Sequence, residues 1–286
     1  MATAARPLIF LHIPKTGGTT LSAVISRHHT GGQTYAIKGA DIPGGVARLK
    51  ALPPAQAAAV RLLKGHQSFG LHEHLAPGAR YVAMIRHPVG RIASHYNYIQ
   101  NSPSHAMHAP LRQSGYTLAQ YAGSRMFPEL NNGQTRLLAG VWDDRELGES
   151  DLTRAIANIE QHFVWVGLME RFDESLIQLG LNLGWLNLRY QKRNVSERAS
   201  TRLIDAAARA AILAENQLDL RLYEYVQARF DRVSPPYAAA RRWAAAGLRC
   251  INGAAGRLST LRGGRVSPPP AKPETVGLKP QRAGRP

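Results

Sequence analysis

Cysteine is nearly absent from this 286-residue chain, in which Cys250 is the single example. One cysteine excludes an intramolecular disulfide framework and any zinc site built from several cysteines. No apolar run approaches the ~20 residues that a membrane-spanning helix needs. The N-terminus also lacks the basic start and long apolar region of a signal peptide. We therefore expect a cytoplasmic protein, long enough to bury a core of its own.

Acidic residues are scarce, with 19 Asp and Glu against 36 Lys and Arg, for a net charge of +17. Residues 234–286 hold ten of the basic residues and one acidic residue, Glu274, among many Pro, Gly and Ala. Such a composition buries too little apolar surface to fold alone. We predict a main domain over residues 1–233 and a basic tail over 234–286. The tail is expected to form one helix at 237–248 and to be disordered from about Ser259.

Two common phosphate-binding motifs are missing. The P-loop pattern G-x-x-x-x-G-K-[ST] requires a Gly-Lys pair, and the chain has none. The dinucleotide pattern G-x-G-x-x-G does not follow the first predicted strand. A nucleotide-dependent kinase with a P-loop-like fold is an alternative function for the chain, but the phosphate-binding motif that such a kinase needs is absent.

What is present near the N-terminus is an apolar run followed by P-K-T-G-G-T-T. Residues 8–13 predict a short buried strand, which Pro14 ends. Gly17 and Gly18 permit a tight turn, and Thr19 or Thr20 is expected to cap the next helix. Backbone N–H groups at a helix N-terminus, with Lys15 beside them, bind anions. The alternative is an ordinary turn between a strand and a helix.

A second segment, I-R-H-P-V-G-R-I-A-S-H-Y, follows the predicted strand at residues 81–85. Pro88 suits the first turn of a helix, which we expect to run to about Gln100. Arg86 ends the strand and Ser94 follows two helical turns later, so that a guanidinium and a hydroxyl can hold a phosphate. Arg86 stands where a kinase would place a magnesium-binding aspartate. We therefore expect no metal.

His66 follows a third predicted strand, residues 60–64. A histidine at the carboxyl end of a parallel strand lies where open α/β sheets bind ligands, and it can act as a general base near neutral pH. A structural or surface histidine is the alternative. With a further strand at 163–168 and helices between, the pattern predicts an α/β fold with a central, mainly parallel sheet between helices. A long helix over 201–230 has an apolar stripe and is expected to be structural.

Together these segments resemble the paired 5′- and 3′-phosphate motifs of sulfotransferases that use 3′-phosphoadenosine 5′-phosphosulfate (PAPS). The intervening K-G-H is similar to the H-G-H of heparan sulfate 2-O-sulfotransferase and its uronyl relatives. Lys64 stands in place of their first histidine, so only His66 matches their catalytic residues. The resemblance covers residues 7–232 and is strongest to bacterial members. It implies a P-loop-like three-layer sandwich.

The resemblance also implies a set of site residues, with PAPS as the sulfuryl donor and no metal. His66 and Lys15 are the expected catalytic residues. The residues expected to bind the donor are Lys15, Thr16, Gly17, Gly18, Thr19, Thr20, Arg86, Ser94, Lys192, Arg193, Asn194 and Ser196. The last four belong to a basic segment whose family counterpart closes over the nucleotide, and a plain charged surface loop is the alternative there. Residues 131–140 resemble a segment near the acceptor cleft, or they form an ordinary capped helix.

The acceptor implied by the resemblance is a hydroxyl on a carbohydrate, and the basic surface suits an anionic sugar. The tail is expected to attract an anionic glycan or the inner face of an anionic membrane. A nucleic-acid-binding protein is the remaining alternative. It depends on the basic tail alone, without a recognised motif, so we expect no nucleic acid partner.

Overall fold

The computed structural model describes residues 6–29, 33–39, 41–191, 204–232 and 240–252. Its centre is a five-stranded sheet in the order β2-β3-β1-β4-β5, and every strand pair is parallel. The strands are β1 (Leu8–Leu11), β2 (Gln33–Ile37), β3 (Val60–Gly65), β4 (Arg80–Ile85) and β5 (Phe163–Leu168). The predicted parallel sheet is confirmed.

Helices connect and cover these strands. In chain order they are α1 (Gly18–Arg27), α2 (Ile42–Lys50), α3 (Pro54–Ala59), α4 (Pro88–Gln100), α5 (His108–Ser114), α6 (Leu118–Gly123), α7 (Gly133–Ala139), α8 (Glu149–His162), α9 (Phe172–Leu183), α10 (Ala206–Glu215), α11 (Gln217–Asp231) and α12 (240–252). Short 3₁₀ turns lie at Leu71–His74, Pro128–Leu130 and Met169–Arg171.

Both faces of the sheet are buried, as the unbroken apolar character of the strands predicts. Along β1, Ile9 and Leu11 contribute to one apolar cluster, which also contains residues of α7, α8 and α11. Leu8 and Phe10 point to the opposite face and pack with residues of α1 and α9. The fold is therefore a three-layer α/β sandwich.

The strand order places β1 between β3 and β4. Leu11 pairs with Gly65 on one side and with Ala83 on the other. The chain leaves β1 toward β2 and β3 and then crosses over to β4, and a crevice opens where the direction of winding reverses. The residues that follow β1, β3 and β4 consequently meet at one edge of the sheet.

The C-terminal helix α12 differs from its prediction. Its described part, residues 240–252, continues past the predicted end at 248, and its inner face is buried. Arg241 is 2% exposed, its guanidinium lies 4.0 Å from the centre of the Phe230 ring, and its Nη1 donates to the Phe230 carbonyl at 3.2 Å. Ala245 and Leu248 are buried on the same face. A domain boundary at 233 would separate residues that pack together.

The boundary predicted at 233 depends on composition, whereas the contacts between Arg241 and Phe230 attach α12 to the domain. The buried alanine and leucine of α12 are too few to signal a core helix, and Arg241 is buried because its guanidinium finds an aromatic ring and a carbonyl. The tail residues 253–286 lie outside the described part of the chain.

The long helix predicted over 201–230 is two helices, α10 and α11, and its first three residues lie outside the described part. Asn216 separates them and is fully buried. Its side-chain amide donates to the carbonyls of Leu130 and Ile212 at 2.9 and 3.0 Å. A buried asparagine that makes these bonds interrupts a helix, because its side chain satisfies backbone groups locally.

Candidate active site

An open cleft with a volume of about 1890 Å³ lies at the carboxyl edge of the sheet. It is lined by the segments that follow β1, β3, β4 and β5, and by parts of α7 and the loops around it. Of the residues predicted for the site, the cleft wall contains Lys15, Gly17, Gly18, Thr19, Thr20, His66 and Arg86.

The turn after β1 forms an anion cradle at the start of α1. Lys15 and Gly17 have left-handed backbones, with φ of 67° and 78°. Gly17 is the N-cap, and no side chain caps the helix. The expected caps Thr19 and Thr20 lie inside the helix instead, because the left-handed glycine already turns the chain into it. The first amides of α1 therefore lack intrahelical acceptors and face the cleft, where they can bind an anion.

The two glycines of this turn are required by close neighbours. A Cβ on Gly18 would lie 1.9 Å from the His12 ring. A Cβ on Gly17 would lie 2.5 Å from the Met169 sulfur, in addition to the cost of its positive φ. The side chains of His12 and Met169 thus pack directly against the two glycines of the cradle.

The two predicted phosphate motifs are joined by a hydrogen bond. Arg86 Nη1 donates to the Lys15 carbonyl at 3.2 Å. The Lys15 ammonium lies 4.1 Å from the centre of the Tyr98 ring, which belongs to α4. A positive cleft wall therefore runs from the cradle to the end of β4.

Arg86 is held at its backbone by a residue that sequence analysis did not single out. Its N–H donates to Gln134 Oε1 at 2.9 Å, and Gln134 Nε2 donates to its carbonyl at 2.8 Å. Gln134 is fully buried at the start of α7. No local pattern in a sequence could have paired positions 86 and 134.

Asp219 in turn holds the start of α7. This fully buried carboxylate accepts from the N–H of Gln134 at 3.1 Å and from the N–H of Thr135 at 2.7 Å. Residues 131–140 thus contain a capped helix, and because Arg136 and Leu137 of that helix also line the cleft, the two interpretations left open are compatible. The capping residue, Asp219, belongs to α11. The helix that it caps, α7, orients Arg86 through Gln134.

His66 presents a basic nitrogen to the cleft. Its Nδ1 lies 2.9 Å from the His12 carbonyl. A carbonyl only accepts, so Nδ1 carries the proton and Nε2 keeps its lone pair. Burial lowers the pKa of His66, which keeps the ring neutral. This is the protonation state that a general base needs.

His12 is a second histidine in the cleft, and the sequence did not predict it. Its ring stacks between Phe10 and His66, with centroid separations of 5.2 and 4.4 Å. Burial, followed by the charges of His66 and Lys15, lowers the pKa of His12 to about 3. The ring is therefore neutral. The sequence could have indicated a site role for His12 through its position one residue after β1, at the carboxyl edge of the sheet.

Other predicted residues lie elsewhere. Thr16 is 1% exposed and donates to the Ile13 carbonyl at 2.9 Å, and Ser94 is 2% exposed. Neither lines the cleft, so a direct role for them stays a prediction. Lys64 Nζ donates to Ser26 Oγ at 2.7 Å. Lys192, Arg193, Asn194 and Ser196 lie outside the described residues.

Within the part of the chain that the structure describes, no group of three or more His, Cys, Asp or Glu is arranged to hold a metal ion. No helix there is long and apolar enough to cross a membrane.

One protein-family model and two curated relatives match this chain. The model described as the sulfotransferase family matches residues 2–226. Galactose-3-O-sulfotransferase 3 of Bos taurus is 29% identical over 210 residues, which is 67% of this chain and 45% of that protein. Galactosylceramide sulfotransferase of Bos taurus is 25% identical over 255 residues, or 79% and 57% of the two chains. The chain thus spans about half the length of these curated relatives.

Among solved structures, mouse sulfotransferase SULT7A1 complexed with PAP matches with a TM-score of 0.33 and 17% identity, over 74% of this chain and 67% of that one. A TM-score this low does not establish a shared fold. The finer resemblance to bacterial members and to heparan sulfate 2-O-sulfotransferase stays a prediction.

Proposed function

The chain belongs to the sulfotransferase family, and we propose that it transfers a sulfuryl group from PAPS to a hydroxyl of a carbohydrate. The observation that supports this most is the placement of a neutral His66, with an unprotonated Nε2, in the same cleft as the anion cradle and Arg86. A base and two cationic anion-binding elements in one cleft suit transfer of an anionic group to a hydroxyl.

In this proposal the donor lies along the positive wall of the cleft. The amides of Gly18, Thr19 and Thr20, with Lys15, bind the 5′-phosphosulfate end. Arg86 binds the 3′-phosphate through its guanidinium, and the Gln134 clamp sets the direction of that side chain. The hydrogen bond from Arg86 to the Lys15 carbonyl sets the spacing between the two anion sites.

PAPS supplies a sulfuryl group already activated by its bond to the 5′-phosphate. His66 Nε2 accepts the proton of the acceptor hydroxyl while the oxygen–sulfur bond to the acceptor forms. As the bond between sulfur and the 5′-phosphate oxygen breaks, Lys15 and the α1 amides stabilise the negative charge that builds on that oxygen. The products are a sulfate ester and adenosine 3′,5′-bisphosphate.

The carbohydrate acceptor is supported by the relatives, whose names specify galactose and galactosylceramide. Because the chain spans only about half their length, their acceptors are a guide to chemical class alone.

Calorimetric titration with adenosine 3′,5′-bisphosphate, without metal, tests the donor site. We expect tighter binding than for AMP, and no comparable binding of ATP with magnesium. Arg86→Ala should remove most of the preference over AMP, because the 3′-phosphate loses its guanidinium partner. Arg112→Ala, an exposed arginine of α5, is the matched control. Equal affinity of the wild type for AMP and the bisphosphate would refute the proposal.

A further inference from the structure

A loop at the edge of the cleft, residues 141–145, is held from beneath by Arg136. This arginine is 6% exposed and lines the cleft. Its Nη1 donates to the Asp143 carbonyl at 2.5 Å and its Nη2 to the Arg145 carbonyl at 2.7 Å. Its buried Nε has no hydrogen-bond partner among the described residues.

The same loop is joined to the segment that contains His66. Ser68 Oγ donates to the Val141 carbonyl at 3.1 Å, and Phe69 N–H donates to the Leu137 carbonyl at 2.8 Å. Trp142 is the next residue after Val141, and it lines the cleft with His66. The position of the loop is thus set relative to the base.

The loop presents an aromatic ring and two carboxylates. Trp142 is 49% exposed and lines the cleft. Asp143 and Asp144 follow it, are exposed, and also line the cleft. A sugar has an apolar face of C–H groups that packs on an indole ring, and hydroxyls that donate to carboxylates. The combination therefore suits a sugar ring.

Among the charged residues that line this end of the cleft, the carboxylates of Asp143 and Asp144 outnumber the one guanidinium, that of Arg136. Arg136 directs its guanidinium to backbone carbonyls, and Arg145 pairs through Nη1 and Nη2 with Asp151 at 2.8 and 2.7 Å. Asp143 lies 3.8 Å from Arg145 Nε and shares that cation with Asp151. A uronic acid or sulfated sugar bound here would meet two carboxylates.

We infer that Trp142, Asp143 and Asp144 form the acceptor platform and select a neutral sugar over an anionic one. This inference depends on the proposed function and changes the acceptor expected from composition, where the surplus of basic residues favoured an anionic sugar. Of the basic residues that line the cleft, Lys15 and Arg86 lie on the donor wall, whereas Arg136 beneath the platform binds backbone carbonyls.

The test compares PAPS-dependent sulfation of 4-nitrophenyl β-galactoside and 4-nitrophenyl β-glucuronide. The wild type should have the lower KM for the galactoside. Trp142→Ala should raise that KM about tenfold, the usual effect of truncating a central aromatic contact, with a smaller change in kcat. Trp142→Phe should recover part of the loss. The double variant Asp143→Asn, Asp144→Asn should reduce the preference for the galactoside over the glucuronide.

Matched controls are Trp243→Ala, which removes an 80% exposed tryptophan of α12, and Glu146→Gln, which removes a charge just beyond the loop. Neither residue lines the cleft, and neither variant should change either KM. Thermal melting confirms folding of each variant. A wild-type preference for the glucuronide, or an unchanged galactoside KM in Trp142→Ala, would overturn the inference.

Calorimetry with adenosine 3′,5′-bisphosphate separates the two proposals. If the bisphosphate binds but the galactoside is neither sulfated nor bound, the platform inference fails and the donor proposal stands. If the bisphosphate does not bind the wild type, the proposed function itself fails.

Discussion

Gln134 binds both backbone groups of Arg86, accepting from its N–H at 2.9 Å and donating to its carbonyl at 2.8 Å. The two residues are 48 positions apart in sequence. The bonds attach the start of α7 to the end of β4, and Asp219 of α11 fixes α7 in turn. The orientation of Arg86 consequently depends on three elements of the fold.

The Gln134 clamp should matter for both stability and donor binding. Gln134→Ala leaves a buried N–H and a buried carbonyl without partners, at a cost of about 1–3 kcal/mol for each group. We expect a lower melting temperature and weaker binding of adenosine 3′,5′-bisphosphate, measured by calorimetry. Gln113→Ala, at an exposed position of α5, should change neither. A stable variant with wild-type affinity would show that the clamp does not orient Arg86.

His66 should determine turnover and its pH dependence. His66→Ala is expected to lower kcat about 10²–10⁴-fold while leaving bisphosphate affinity nearly unchanged, the usual cost of losing a general base. Burial lowers the pKa of His66 below 6.5, so the basic form persists to lower pH. The acidic limb of the kcat/KM profile should therefore lie below pH 6.5, with a plateau above it. If turnover survives the substitution, the role of His66 as the base is refuted.

Buried neutral histidines should make the protein sensitive to acid. Burial lowers the pKa of both His12 and His95 from 6.5 to about 3. Between these values the unfolded chain binds more protons than the folded one, so the free energy of unfolding decreases as pH falls from 6.5 toward 3. In His95→Gln, the loss of stability on acidification should be smaller than in the wild type. Urea unfolding at pH 7, 5.5 and 4 measures the difference, and parallel losses in both proteins would contradict this account.

Helix α12 should be needed for the stability of the domain. A chain ending at residue 239 loses the buried Arg241, Ala245 and Leu248 and the bond from Tyr190 N–H to Asn252 Oδ1 at 3.0 Å. Tyr190 lines the cleft, so weaker bisphosphate binding should accompany a lower melting temperature. A chain ending at residue 252 should match the full-length protein in both measurements. This replaces the domain boundary at 233 that composition predicted.

We propose that the basic residues beyond α12 attract anionic surfaces. Each Lys or Arg near an anionic membrane contributes about 1 kcal/mol of attraction. The full-length protein should co-sediment with phosphatidylserine vesicles at low salt and be released at high salt, because salt screens the attraction. A chain ending at residue 252 should stay in the supernatant. Equal behaviour of the two chains at low salt would refute a role for this segment.

Four of the strands and the residues that follow them could be predicted from local sequence. Runs of apolar residues located β1, β3, β4 and β5, and β5 (Phe163–Leu168) and α4 (Pro88–Gln100) have the bounds predicted for them. Parallel strands expose their carboxyl ends at one edge, which brought His66, Arg86 and the glycine turn into one cleft. These features depend on local backbone preference and on the order of elements, both of which a sequence displays.

The tertiary structure alone decided which distant residues support the site. The clamp of Gln134 on Arg86, the stacking of His12 on His66, the burial of Arg241 against Phe230 and the attachment of the Trp142 loop to Ser68 each join residues on different elements. A glutamine, a histidine or an arginine has the same local preferences whether it is buried or exposed. Its partner is selected only when packing brings a buried donor and acceptor together, because each must then be satisfied within the fold.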